Sequence, residues 1–179
     1  MSFRVARVEG DDGLALVALT EADLSLIHRW LHLPHLAHVW NLPDEGIACI
    51  AAHMSEPHIA PYLIVESGRP VGYLQSYHAN PDAFWAAHDL PRETYGLDLF
   101  IGPADLIGQG LGSRAVGLAV RHLASLPDMA RLHIDPDPGN LAAIRTYEKA
   151  GFRRSGEIET PDGRCLYMIL EPKRGILPR

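Results

Sequence analysis

The stretch LIGQGLGSRAVGLAV, residues 106–120, limits what this chain can be more than any other. Gly108, Gly110 and Gly112 stand at alternate positions, and the apolar spacing after them predicts a helix to about residue 124. A helix start carries unpaired N–H groups and the positive end of the helix dipole. Stripped of side chains, it lets a phosphate reach the backbone. A Gly-rich turn entering a core helix is the other reading of the same residues. Two nucleotide loops do not fit. A Walker A loop needs a Lys after its glycines, and none follows here. A dinucleotide fingerprint needs a third Gly where Ser113 stands, and the segment PADLI separates the preceding strand from the glycines.

The rest of the pattern is mixed. LALVAL (14–19) predicts a buried strand, and Thr20 with Asp23 resembles a capping box opening a helix through Leu24, Ile27 and Leu31. Pro34 ends or redirects that helix, HLAHVW makes a further short turn, and residues 44–54 predict a second helix. PYLIVES and PVGYLQSYH predict a hairpin through SGR. Residues 79–94 form a loop too long to be a passive turn. YGLDLFIG (95–102) predicts a central strand, and ARLHID (130–135) another. NLAAIRTYEKAGF predicts a helix with Asn140 at its start and Gly151 as its left-handed cap. A closing hairpin turns at PDGR. Strands and helices in this order predict an α/β (α+β) fold with a mixed sheet and helices on its faces.

A chain of 179 residues suits one domain, 1–179, and buries roughly 70% of its unfolded surface without a metal or disulfide staple. Cys49 and Cys165 lie in no motif and read as reduced thiols of a cytoplasmic protein. No apolar run is long enough for a membrane span, and the N-terminus lacks the pattern of a secretion signal. The net charge of -6 argues against a nucleic-acid surface and suits a cationic small molecule. His28, His32 and His35 have spacings that could share a helix face, but Pro34 interrupts them and no carboxylate is fixed beside them, so no metal is expected.

Two clusters together carry a resemblance. IGQGLG is similar to the pyrophosphate loop of the GNAT acetyltransferases, Q/R-x-x-G-x-G/A, at Gly110 and Gly112, with Ile107 in place of Gln or Arg. Asn140, Ala143, Tyr147, Gly151 and Phe152 resemble that superfamily's second signature, N-x-x-A-x-x-x-Y-x-x-x-G-F. The segments containing QSY, GLDLFI, DPDPGN and TPDG look closest to the aminoglycoside 6′-N-acetyltransferases. The resemblance covers about residues 14–170 and implies a mostly antiparallel sheet whose fourth and fifth strands splay apart. It implies acetyl-CoA as co-substrate, with its pantetheine arm between those strands, at about 95–101 and 130–135. Its diphosphate would rest on the N–H groups of Gln109, Gly110, Leu111, Gly112 and Ser113. N–H groups near Phe100 and Ile101 would serve the acetyl carbonyl. Arg114 either adds charge or is an ordinary solvated arginine. Asn140 either contacts the pantetheine arm or only caps its helix.

The resemblance places Tyr147 near the sulfur as the candidate acid. Packing helix to sheet is its other role. Asp98, in LDLF, cannot be buried unpaired without large cost, so it faces a wet cleft or pairs with a cation. Asp98 and Asp135 match carboxylates that, in the resembling group, hold the amine and assist its deprotonation. Asp82 and Trp85 match its acidic and aromatic loop residues and suit the ammoniums and ring faces of an aminosugar. The expected function is acetyl transfer to the 6′-amine of an aminoglycoside-like acceptor, with antibiotic resistance as its consequence. Another amine, such as a siderophore lysine or a polyamine, and a non-catalytic acyl-CoA sensor are the alternatives. Neither nucleic acid nor membrane is an expected partner, and the oligomeric state stays open.

Overall fold

The computed structural model describes residues 3–36, 42–161 and 163–171. Eight strands make one sheet: β1 (Arg7–Glu9), β2 (Leu14–Ala18), β3 (Ile59–Glu66), β4 (Arg69–His78), β5 (Thr94–Ile101), β6 (Arg131–Ile134), β7 (Arg153–Thr160) and β8 (Gly163–Leu170). Their order across the sheet is β1-β2-β3-β4-β5-β6-β8-β7. Every neighbouring pair is antiparallel except β5 with β6. The helices are α1 (Leu24–Leu31), α2 (Pro43–His53), α3 (Ala83–Ala86), α4 (Leu111–Ala124) and α5 (Leu141–Lys149). No helix among the described residues is long and apolar enough to cross a membrane.

The sheet is covered on both faces, which is why β3 is buried along almost its whole length. On one face α4 buries Leu111, Ala115, Val116, Leu118, Ala119 and Leu123, positions that share one side of a 3.6-residue helix. They join Leu97, Leu132, Ile134, Ile144 and Tyr147 in one apolar cluster. On the other face Ile27, Trp30 and Leu31 of α1 and Ile50 of α2 pack on Leu63, Val65, Tyr73 and Phe100. Side chains alternate across a strand. Asp98 and Phe100 therefore share the α1/α2 face, and Leu97 and Leu99 share the α4/α5 face.

The predicted elements are present, with three differences. Arg7–Glu9 adds an edge strand, so the splaying pair is the fifth and sixth strands in chain order rather than the fourth and fifth. The loop 79–94 contains one helical turn, α3, capped by Asp82. A 3₁₀ turn, Glu21–Asp23, precedes α1. There the Asp23 carboxylate accepts from the Thr20 N–H at 2.9 Å and from its hydroxyl at 2.6 Å, the capping-box contact in its Asp form. The predicted turn at HLAHVW runs into residues 37–41, and the PDGR turn includes residue 162; both lie outside the described residues.

The β5–β6 pairing runs only from Thr94↔Arg131 to Gly96↔His133. Beyond it the two strands separate. The Gly102 N–H donates to Val71 O at 3.0 Å, which sets the alternation of the antiparallel β4–β5 ladder. Phe100 thus turns its N–H toward β4, whereas Leu99 and Ile101 turn theirs toward the gap.

Candidate active site

The gap and the glycine turn are joined by the start of α4. Gly110 is the N-cap of α4 at φ 82°, the left-handed region that glycine enters without strain. The first helical bond is Arg114 N–H to Gly110 O, 3.0 Å. The N–H groups of Gly110, Leu111, Gly112 and Ser113 therefore have no partner within the helix. Side-chain atoms at Gly108 and Gly110 would meet nothing within 4 Å, and at Gly112 only Leu99 Cδ1 at 4.0 Å. The turn is an open cradle of backbone donors, the fit a diphosphate needs. Gln109 is partly engaged: its N–H donates to Leu106 O at 3.4 Å and its amide to Asp105 O at 2.6 Å. Arg114 is tied to Asp12 at 2.6 Å and to Glu66, which hold it in its charged form, so it serves the sheet edge. Ile107, which stands where the family pattern has Gln or Arg, is half exposed.

On the α1/α2 face, an open cleft of about 290 Å³ is lined by His53, His58, Gln75, Tyr77, Asp82, Trp85, Asp98, Asp135, Thr160 and Pro161, among others. Asp98 lies on β5 and Asp135 directly follows β6, both just past the last paired residues. The cleft therefore straddles the splay. Asp98, Asp135 and Asp82 line the cleft together with Tyr77, and all three raise its pKa, after burial as the main cause. Gly96 makes this possible, since a Cβ there would come within 2.0 Å of the Tyr77 ring.

Tyr147 sits on α5 and is buried. Burial chiefly, then Asp98 and Asp135, push its pKa well above the ordinary value, so it stays protonated at any physiological pH. Asp82 caps α3, its Oδ1 accepting from Phe84 N–H at 2.9 Å and Trp85 N–H at 3.0 Å. Trp85 packs edge-on against His133 with ring centres 4.2 Å apart. Asn140 caps α5, its Oδ1 accepting from Ala143 N–H at 3.1 Å. The Phe100 ring lies in the apolar cluster beside Trp30 and Tyr73. His35 meets Ile101 O at 3.2 Å instead of joining His28 and His32. Asp44 of α2 takes its place, so His28, His32 and Asp44 bring three ligand-type atoms within 4.8 Å on an exposed surface. The carboxylate missing from the sequence pattern is thus supplied from another helix.

Sequence reasoning missed the polar support of Asp98. Gln75, directly opposite on β4, donates its amide N–H to Asp98 Oδ2 at 2.8 Å. Gln75 was visible only as part of QSY, and nothing in the spacing of residues 53, 75 and 98 signals that they meet. His53, at the end of α2, and His58, just before β3, also line the cleft, and nothing in the sequence pattern signalled them.

The acetyltransferase (GNAT) domain family matches residues 20–160. An aminoglycoside N(6′)-acetyltransferase type 1 of Klebsiella pneumoniae is 34% identical over 168 residues, covering 89% of this chain and 83% of its own. A lysine N-acyltransferase of Mycolicibacterium paratuberculosis is 28% identical over 167 residues, covering 90% and 76%. A crystal structure of the aminoglycoside acetyltransferase AAC(6′)-Ib in complex with coenzyme A and kanamycin superposes with a TM-score of 0.78 at 32% identity, covering 88% of this chain and 94% of that one. With a family match over most of its length, an open glycine turn at the start of α4 and a splayed sheet beside it, this chain belongs to the GNAT acetyltransferase family.

Proposed function

We infer that the protein is an acetyl-CoA-dependent N-acetyltransferase acting on the 6′-amine of an aminoglycoside-like aminosugar. The observation that carries the reading is the cleft straddling the splay, with Asp98, Asp135 and Asp82 on one side of the chemistry and Tyr147 on the other. The two aminoglycoside acetyltransferases named above, each more similar to this chain than the lysine N-acyltransferase, support the choice of acceptor. Acetyl-CoA is made inside cells, so the cytoplasm is where we place the enzyme. Inactivation of an aminoglycoside would make it a resistance enzyme.

When bound, acetyl-CoA supplies an activated thioester as acyl donor. The N–H groups of Gly110, Leu111, Gly112 and Ser113 hold its diphosphate, and the Ile101 N–H faces its path through the gap. The polycationic acceptor is drawn to the three carboxylates, and its ring faces lie against Trp85. An amine must lose its proton before it attacks. Asp98 accepts that proton directly or through water, with Asp135 holding the acceptor's charge nearby. Tyr147 retains a proton to give to the departing sulfur.

The test is an acceptor panel of kanamycin-like aminosugars, polyamines and lysine derivatives, with thiol release as readout. The aminosugars are expected to be the best acceptors by kcat/KM. Asp98→Asn and Tyr147→Phe should each lower turnover on them by about 10²-fold or more, the scale of a lost proton-transfer group. Preference for a lysine derivative or polyamine would overturn the acceptor. Full activity of Asp98→Asn would overturn the role of the cleft.

A further inference from the structure

A hydrogen-bonded chain links α2 to the cleft carboxylate. Gln75 Oε1 meets the Tyr73 hydroxyl at 2.8 Å and His53 Nδ1 at 2.9 Å, while Gln75 Nε2 meets Asp98 Oδ2 at 2.8 Å. An amide oxygen only accepts. His53 Nδ1 therefore carries a proton, which fixes the tautomer of the neutral ring and leaves its Nε2 to meet Cys49 Sγ at 3.3 Å. Two donors converge on one end of the Gln75 amide, so its N–H end is committed to Asp98. Turned the other way, the amide would set its oxygen against a carboxylate oxygen. Gln75 and Tyr73 are buried, and His53 lines the cleft itself.

We propose that His53 is a positioning residue for acetyl transfer: through Gln75 it holds the plane of the Asp98 carboxylate that receives the acceptor's amine. The proposal rests on the function inferred above. Tyr73 alone leaves the Gln75 amide held at its oxygen by a single rotatable hydroxyl. His53 adds a donor anchored by α2, whose ring is itself braced by Cys49 one turn earlier. Among the described residues, His53 meets Cys49 on its own helix and Gln75 on β4, with the charge of Asp98 on β5 acting on it and Tyr73 sharing the Gln75 oxygen. His58, Asp82 and Asp135 share the cleft. The bond with Cys49 first, then the Cys49 charge, the Gln75 bond and Asp98, raise the pKa of His53 against the opposing effect of burial. Protonation keeps the Nδ1–H donor and adds a positive charge beside Asp98. Both states of the ring thus orient Gln75 the same way, and both favour the ionised form of Asp98, the charged ring more so.

Three substitutions separate positioning from packing. His53→Ala removes donor and volume, His53→Leu restores volume only, and His53→Asn places an amide N–H near the position of Nδ1. His53→Ala and His53→Leu should lower kcat by about ten-fold or more, since misplacing a reacting group by about 1 Å costs up to about 10²-fold. KM for acetyl-CoA should not change. The acid limb of kcat/KM should move to higher pH in both, because the Gln75 amide that donates to Asp98 is no longer held by His53 and a neighbouring positive charge is gone, and both favour the carboxylate. His53→Asn should recover most of kcat. Recovery by Leu to the level of Asn, or a wild-type kcat and pH profile in His53→Ala, overturns the proposal. The carboxyl ¹³C titration of Asp98 in the substrate-free protein reads the link independently of the reaction. Its midpoint should rise more in His53→Leu than in His53→Asn. An unchanged midpoint in His53→Leu defeats the inference even where Asp98 is essential. A fully active Asp98→Asn defeats the functional reading instead, while the titration still reports whether His53 holds Asp98.

Discussion

At His133 the fold places an imidazole where water cannot reach it. The ring is fully buried, and among the described residues neither nitrogen has a hydrogen-bond partner. Tyr77, Trp85 and Tyr167 surround it with ring centres 5.6, 4.2 and 5.8 Å away. Burial, helped by the charge of Arg131, lowers its pKa from 6.5 to about 3. The unfolded chain therefore binds a proton more readily than the folded one between those values. Stability from this residue is level above pH 6.5 and falls as pH drops toward 3, by up to about 1.4 kcal/mol per pH unit. Urea unfolding across this window should show a shallower acid loss for His133→Leu than for the wild type. Identical slopes would mean the ring is solvated or partnered in solution. In the sequence, ARLHID predicts a strand, but the polarity of His133 gives no sign that it underlies the tryptophan of a cleft. That role comes from Trp85, 48 positions away in the chain. Asp98 is the opposite case. A carboxylate between leucines announces itself, because the cost of burying it unpaired demands an explanation.

At the scale of elements, the start of α4 combines two glycines with different duties. Gly110 is required by its backbone, at φ 82°. Gly112 is not, and a side chain there would touch only Leu99 Cδ1 at 4.0 Å. Gly112→Asp should therefore fold, with a melting temperature near the wild type. A carboxylate among donors meant for phosphate should weaken acetyl-CoA binding by about ten-fold or more, since a repelled charge forfeits at least the 1.4 kcal/mol that ten-fold represents. Calorimetry on the folded variant checks it, and unchanged affinity would remove the diphosphate from this turn. This element was legible because glycine spacing and helical period are local signals. The same holds for α5, whose Asn140 cap and Gly151 stop frame it within a dozen residues. The strand Arg7–Glu9 and the turn Ala83–Ala86 were not legible. Three or four residues are too few for either period to show, and both elements exist because neighbours complete them.

The molecule as a whole is a sheet that comes apart along one seam. Pairing of β5 and β6 stops at Gly96 and His133, and the cleft lies over the opening. Amide hydrogen exchange should expose this directly. Leu99 and Ile101, whose N–H groups face the gap, should exchange fast in the free protein and slow when acetyl-CoA is added. Phe100, which faces β4, should be slow in both states. Protection of Leu99 and Ile101 without ligand would mean the seam is closed in solution. The seam is also where sequence and structure divide their contributions. The chain alone determined its longer elements and its glycine turn, because periodicity, capping and backbone freedom act over a few neighbours, whereas the candidate acyl-transfer residues were named by a resemblance between whole motifs. Only the tertiary structure decided which face Asp98 shares with Gln75 and His53, that Arg114 belongs to Asp12 and Glu66, and that Asp44 joins His28 and His32. Those pairings join residues far apart in the chain. Strand register and helix docking bring them together, and no local spacing records either.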